Sequence, residues 1–357
     1  MHINRIIIVG NGFDIAHGLA TNYTDFINNY WQKLSEKICN YTNDQIPKEF
    51  SDEFTSIVIN RPFISPEITK VNSLNRLNDY AYNSNGAIEL PHIKSNFFKL
   101  INNHHENYGW VDIEDIYKEC LIQTIDISAC KQLNKDLEVI CDKLQTYLSS
   151  LSSTKSAVLH EQYMEFINSP ILSKDVAPKQ QHLIEDKCLH PKEILILNFN
   201  YTTTCEYYTN NCNINYIHGK LGDVNNPIIF GYGDDSDVNL NKFILSSDNT
   251  YLEHIKPFRY LETDNYRKLL KFADDAPFQI FIMGHSCGAS DKTLLNTLFE
   301  HKNCISIKPF YHKISDNKDN YSDIIYNIYR SFSIPALFRE IVVNKTYCNP
   351  MPQLHDN

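Results

Sequence analysis

Four short stretches of the chain set small, polar or titratable residues directly behind apolar runs. The first is Gly10-Asn11-Gly12-Phe13-Asp14, after Arg5–Val9 and before Gly18-Leu19. Glycines there let the backbone approach a pyrophosphate, and the amides of a following helix start favour negative charge. Ile15 stands where a dinucleotide fingerprint has its third glycine, so a plain tight turn is the competing reading. The second is Asn198-Phe199-Asn200-Tyr201-Thr202, with Glu206 beyond it. A side-chain amide both donates and accepts, which suits ribose hydroxyls or a water; asparagine suits an ordinary turn equally. The third is Ile217-His218-Gly219, where an imidazole at a strand end could act as acid or base near neutral pH or be merely structural. The fourth is Gly284-His285-Ser286-Cys287-Gly288, followed by Ser290-Asp291. It reads as a phosphate- or ribose-binding loop, or as a G-x-S-x-G elbow with Ser286 as nucleophile. The order Ser286, Asp291, His312 would then supply a serine hydrolase triad.

The composition narrows the partners. With 33 basic and 43 acidic residues the 357-residue chain carries a formal charge of −10, which repels phosphate backbones and argues against nucleic acid. The ten cysteines contain no C-x-x-C pair, so no zinc ribbon and no metal is expected. Reduced thiols point to a cytoplasmic protein. Met1–Val9 is too short and polar for a signal peptide, and no apolar stretch approaches the ~18 residues of a membrane span.

The loops need a scaffold, and the apolar runs provide one. Arg5–Val9, Glu193–Leu197, Asn215–Ile217, Ile228–Phe230, Gln279–Met283 and Cys304–Lys308 read as strands, several of them continuous enough to be buried on both faces. Tyr23, Phe26, Ile27, Tyr30, Leu34 and Ile38 recur at helical spacing, as do Leu133, Leu137, Ile140, Leu144 and Leu148; Asp112–Ile125 and His160–Ile167 also read as helices. Asn-rich loops are expected over much of 40–105. The fold expectation is therefore α/β: a Rossmann-like parallel sheet from 1–39 and 191–357, with a mainly helical insertion over 40–190. Ile6–Val9 must then share a sheet with Leu195 and Ile282. Gly10, Gly12, Asn200, His218 and Ser286 should meet at its carboxyl edge.

Together these segments resemble the bacteriophage abortive infection AbiH family. The likeness is carried by Gly10 to Leu19 with Thr21, Tyr23, Asp25 and Phe26, by Trp110-Val111-Asp112-Ile113-Glu114, and by Asn198 to Thr202. His218-Gly219, Ile229-Phe230-Gly231-Tyr232-Gly233 and the Gly284-His285-Ser286 loop with Asp291 complete it. More distantly, the order of glycine turn, Asn-Tyr, His-Gly and Gly-x-Ser is similar to sirtuin-like domains, including some that destroy NAD in antiphage defence. That likeness implies NAD as substrate or ligand and a phage-derived trigger. It implies Asn200 and His218 as catalytic residues, and Gly10, Asn11, Gly12, Asp14, Gly284, Ser286 and Asp291 as nucleotide-binding ones. Thr202 departs from the pattern, which has Asp at that place, and the four-cysteine ribbon of the deacetylases is missing. An NAD glycohydrolase and a nucleotide sensor without turnover are both compatible with it, and the oligomeric state stays open.

Overall fold

The computed structural model of the chain describes residues 2–41, 46–108, 112–152, 156–184, 189–234 and 243–354. The chain forms two compact units, Met1–Leu19 with Leu151–Asn357, and Ala20–Ser150. Strand β1 (Asn4–Val9) buries Ile6, Ile7, Ile8 and Val9 on both faces. Gly10 then caps the short helix α1 (Asn11–Ala16).

The Ala20–Ser150 unit holds α2 (Tyr23–Cys39), α3 (Leu74–Asn83), α4 (Asn96–Tyr108), α5 (Ile113–Gln123) and α6 (Ile127–Ser150). It also holds a three-stranded antiparallel sheet of β2 (Lys48–Ser51), β3 (Thr55–Ile59) and β4 (His92–Ile93). The stretch expected to be largely loop is thus partly strand and helix. In β3, Thr55, Ile57 and Ile59 alternate inward, and the Asp52 carboxylate takes the Phe54 and Thr55 amides at 2.9 and 2.8 Å to close the turn before it. In α4, Phe97, Phe98, Ile101 and His105 share the buried face. Helix α2 belongs with these elements, not with the sheet: Trp31 Nε1 donates to Asn102 Oδ1 at 2.6 Å, and the Tyr30 and Phe98 rings meet edge-on at 4.9 Å. At the start of α5, Asp112 accepts the amides of Glu114 and Asp115 at 3.1 and 3.2 Å, a helix cap. Trp110 and Val111 lie outside the described residues.

The first unit resumes at α7 (Ala157–Ile167) and adds β5 (Ile194–Asn198), β6 (Asn213–Tyr216), β7 (Phe278–Met283) and β8 (Cys304–Phe310). With β1 they make a five-stranded, all-parallel sheet in the order β6-β5-β1-β7-β8. Ile6 pairs with Leu195 on one side and Ile280 on the other, and Ile8 with Leu197 and Ile282. The α/β expectation for this sheet holds.

One face of the sheet packs Ile7, Val9, Ile196 and Met283 against Leu159, Tyr163 and Ile167 of α7 and Phe13 of α1. The other packs Ile6, Ile8, Leu197 and Ile282 against helical Leu269, Leu295, Leu298 and Ile328. Residues 151–190 were expected in the insertion, but α7 buries its apolar side on the sheet. Arg5, fully buried on β1, closes that arrangement. Its guanidinium donates to the carbonyl of Ile167 at 2.7 Å, the last residue of α7, so a cation meets the negative end of the helix dipole.

One expected strand is absent. Ile228–Phe230 carries no regular structure and joins no ladder. Its Ile229 amide donates to the His218 carbonyl at 2.8 Å, and the chain then runs beside His254–Lys256, where the Tyr232 amide meets the His254 carbonyl at 3.1 Å and the Lys256 amide the Tyr232 carbonyl at 2.8 Å. No helix among the described residues is long and apolar enough to cross a membrane.

Candidate functional site

Strand order decides where a crevice opens. From β1 the chain connects outward to β5 and β6 on one side and to β7 and β8 on the other. The switch point of such a sheet lies beyond the carboxyl ends of its two central neighbours, here β1 and β7. Gly10 follows β1 and Gly284 follows β7.

The glycines bring these two loops into direct contact. The Gly12 amide donates to the Gly284 carbonyl at 2.8 Å, the Gly10 amide to the Met283 carbonyl at 3.3 Å, and the Phe13 amide back to the Gly10 carbonyl at 2.8 Å. A Cβ on Gly10 would sit 2.6 Å from His285 Cα, and one on Gly12 2.9 Å from the Gly284 oxygen. Gly284 has φ +73°, and a Cβ there would lie 2.1 Å from the Phe13 nitrogen. Amides expected to face a pyrophosphate are thus engaged within the protein, and the close approach the glycines permit is loop on loop. Gly284→Ala adds a left-handed alanine to a backbone clash, so it should cost about 2–4 kcal/mol. Thermal unfolding of that variant checks the prediction, and an unchanged midpoint would refute it.

The β5 loop docks on the same turn. The Phe199 amide donates to the Val9 carbonyl at 2.9 Å, and Asn200 Nδ2 donates to the Gly10 carbonyl at 3.0 Å. Asn198 braces the bend, its Oδ1 taking the Asn200 amide at 3.0 Å and its Nδ2 reaching the Thr202 carbonyl at 3.2 Å. Thr202 Oγ1 donates to Asp14 Oδ2 at 2.6 Å, and Thr204 Oγ1 donates to Thr202 Oγ1 at 3.4 Å. Asp14 Oδ1 is buried and has no hydrogen-bond partner among the described residues. Burial pushes the Asp14 carboxyl up to about 6, against the pull of the Thr202 hydrogen bond.

A second cluster centres on Asp291. Lys256 Nζ donates to its Oδ1 at 2.8 Å, and His218 Nε2 lies 3.2 Å from the same oxygen. His285 Nε2 lies 3.4 Å from Oδ2. All four side chains are buried. Tyr260 Oη is 3.0 Å from His218 Nε2, and the Phe199 ring packs edge-on to both imidazoles at 4.9 and 4.3 Å. The geometry fixes both tautomers. His285 Nδ1 accepts the Cys287 amide at 2.9 Å, so its proton sits on Nε2, toward Asp291. A lone pair on His218 Nε2 would face a carboxylate, so that nitrogen carries the proton too. Burial, and then the Lys256 ammonium, press the His218 imidazole down to about 4, against the pull of Asp291. Burial alone would raise the Asp291 carboxyl, but Lys256, His218 and His285 hold it well below the usual carboxylate range.

The two clusters are contiguous: Asn200 holds Gly10, Gly10 packs on His285, and His285 shares Asp291 with His218. Ser286 is exposed at the rim, where its carbonyl takes Asn327 Nδ2 at 2.8 Å. Among the described residues no hydrogen bond joins Ser286 Oγ to a histidine, and Asp291 is engaged by Lys256, His218 and His285 in place of His312. Asn11 is exposed at the start of α1. Lys256 and Tyr260 were not singled out in the sequence; Asn198 was read there as a possible ribose or water ligand, and here braces the bend, while His285 lay in the expected loop without a role of its own. Lys256 and Tyr260 follow no strand and match no motif. Among the described residues no group of His, Cys, Asp or Glu is arranged to hold a metal ion; the Lys256 ammonium already sits on the oxygen that His218 approaches.

The family model described as bacteriophage abortive infection AbiH matches residues 6–312, a span that contains all four loops. No curated protein matches the chain.

Proposed function

The chain belongs to the bacteriophage abortive infection AbiH family, and with it to antiphage defence; we propose that its part in that defence is hydrolysis of NAD at the nicotinamide–ribose bond. The observation that carries this reading is the meeting of the Asn200 and His218 loops with the β1 turn at the switch point of the sheet.

The chemistry asks little of the protein. Nicotinamide in NAD is already a cationic leaving group, so the C–N bond breaks toward an oxocarbenium-like state without an acid to protonate it. What remains is to orient the ribose, hold a water and shield the developing cation. His218 stays uncharged near pH 7, and its Nδ1 lone pair is the one left to accept from a ribose hydroxyl or a water. Asn200 positions the loop and offers its amide beside the turn. The nucleotide would lie along Gly10, Asn11 and Gly12, with the buried Asp14 carboxyl behind that turn, and along the Gly284, Ser286 and Asp291 loop.

A second reading, a sensor that binds a nucleotide and returns it intact, draws on two observations. Thr202 replaces the acid of sirtuin-like chains, and the Gly12 and Phe13 amides are committed internally. The test is purified protein incubated with NAD, with and without phage extract, with nicotinamide and ADP-ribose counted by mass spectrometry. Hydrolysis releases both in equal amounts; intact NAD under every condition leaves the sensor. His218→Ala is expected to lower turnover about 10²–10⁴-fold, and Asn200→Ala about 10²-fold through lost positioning, with both variants still folded by circular dichroism. Wild-type turnover in His218→Ala would remove that residue from the chemistry.

A further inference from the structure

We infer that Asp14 is the proton store of this site, acting through Thr202: the proton released by the attacking water passes to Thr202 Oγ1 as the Thr202 proton passes to Asp14 Oδ2. The inference rests on the hydrolytic reading above and assigns a proton path that it leaves open. In balanced form, the water oxygen bonds to the ribose C1′ while the C–N bond breaks, and its electron pair neutralises the pyridinium. Nicotinamide and ADP-ribose leave, and the one proton liberated rests on Asp14 until it returns to solvent.

The geometry separates the two candidates for this task. His218 is boxed in by a lysine. Its Nε2 shares an oxygen of Asp291 with Lys256, 3.2 and 2.8 Å away, so adding a proton sets a second cation beside the ammonium. Asp14 meets the opposite arrangement. No Lys, Arg or His pairs with it among the described residues, and one of its oxygens is unpartnered. The hydroxyls leading to it are in series, Thr204 donating to Thr202 at 3.4 Å and Thr202 to Asp14 at 2.6 Å. Thr202 and Thr204 are half-buried, between the closed carboxyl and the loop surface. Thr202 Oγ1 has two lone pairs and one is taken by Thr204, which leaves one for a water. Asp14 touches no substrate in this scheme; it is a positioning and proton-holding residue behind Thr202.

The titrating surroundings of Asp14 are simple. Just past the end of its helix, His17 is tied to the Phe13 carbonyl and the Tyr208 hydroxyl, both at 2.6 Å. From the loop after β5, the Cys205 thiol is pushed up to about 12 by burial and stays neutral. Glu206, further along, is held by Lys220 at 2.7 Å. The Asp14 carboxyl, raised to about 6, therefore titrates near the pH at which a base works best.

The experiment follows nicotinamide release from NAD between pH 5 and 8.5 for the full chain and for Asp14→Asn, Thr202→Val and Thr202→Ser. In parallel, the carboxylic C=O band that Asp14→Asn abolishes is titrated by infrared spectroscopy. The expected rate rises with pH to a plateau, with a midpoint matching that of the band. Asp14→Asn and Thr202→Val should each lose about 100-fold at pH 7.5, and Thr202→Ser should keep most of the rate. An active wild type whose Asp14→Asn and Thr202→Val variants keep its rate and profile overturns the role of Asp14 alone. A wild type that leaves NAD intact, with phage extract included, overturns the hydrolytic reading and this role with it.

Discussion

Asp291→Ala is expected to destabilise the sheet-bearing unit by about 3–5 kcal/mol, the range for breaking a buried ion pair from one side. Lys256 is 1% exposed and its Nζ rests 2.8 Å from the Asp291 carboxylate. Removing the carboxylate leaves the ammonium in low dielectric without that counter-charge. His218 and His285 lose the acceptor of their Nε2 protons at the same stroke. The decisive comparison is with Asp291→Leu combined with Lys256→Met. Because both charges leave together, most of the loss should return. Urea unfolding of the full chain and the two variants measures this. A cost below about 1 kcal/mol for Asp291→Ala would mean that the buried charge is relieved by rearrangement. The activity readout should differ from the stability readout: the double variant regains stability and not turnover, since nothing then fixes the His218 tautomer.

Asp14→Asn is expected to strengthen the fold at pH 8 and to leave it nearly unchanged at pH 4. The native carboxyl is raised from 3.8 to about 6 by burial. In that window the folded chain holds a proton that the unfolded chain has lost. Stability from neutral Asp14 is therefore complete below pH 3.8 and is lost as the pH rises through 6. Two pKa units correspond to roughly 3 kcal/mol, an upper figure for the gain at pH 8. Asparagine keeps an oxygen for the Thr202 hydroxyl, so the bond at 2.6 Å has a substitute. Urea midpoints of the two proteins at pH 4 and pH 8 give the difference directly. A variant destabilised equally at both would show that burial does not shift the carboxyl, and one destabilised more at pH 8 that the carboxyl is paired when ionised. The same substitution is expected to lower turnover about 100-fold, a trade of activity for stability at one residue.

The sheet was legible because parallel strands buried on both faces write themselves as near-continuous apolar runs. Ile6 to Val9, Ile194 to Leu197 and Phe278 to Met283 all read this way. Ile228–Phe230 carries the same signal and forms no strand, since an apolar trio says nothing about which backbone will face its amides. The hairpin of β2 and β3 was missed because it is short, and because Asp52 alone sets its turn. Helices α3 and α4 lie in an Asn-rich background that masks their apolar stripe. The unit boundary shifted from 39 to 19 because helical periodicity reveals that a buried face exists, not what buries it. In the site, residues directly behind strands were visible: Gly10, Asn200, His218 and Gly284. Lys256 was not, because its place beside Asp291 is set by the Tyr232–Ile255 bridge between two irregular segments.

The central position of β1 also bears on how the protein is made. This strand leaves the ribosome well before both of its neighbours, since β5 and β7 begin at Ile194 and Phe278. At ~5–20 residues per second, β5 follows roughly 10–40 s later. Through that interval the nascent chain carries Ile6-Ile7-Ile8-Val9 with both edges unpaired, an invitation to aggregation that a holding chaperone would suppress. The four loops meet only after the segment carrying Gly284 and Asp291 has emerged. A prematurely terminated chain therefore cannot bring these loops together.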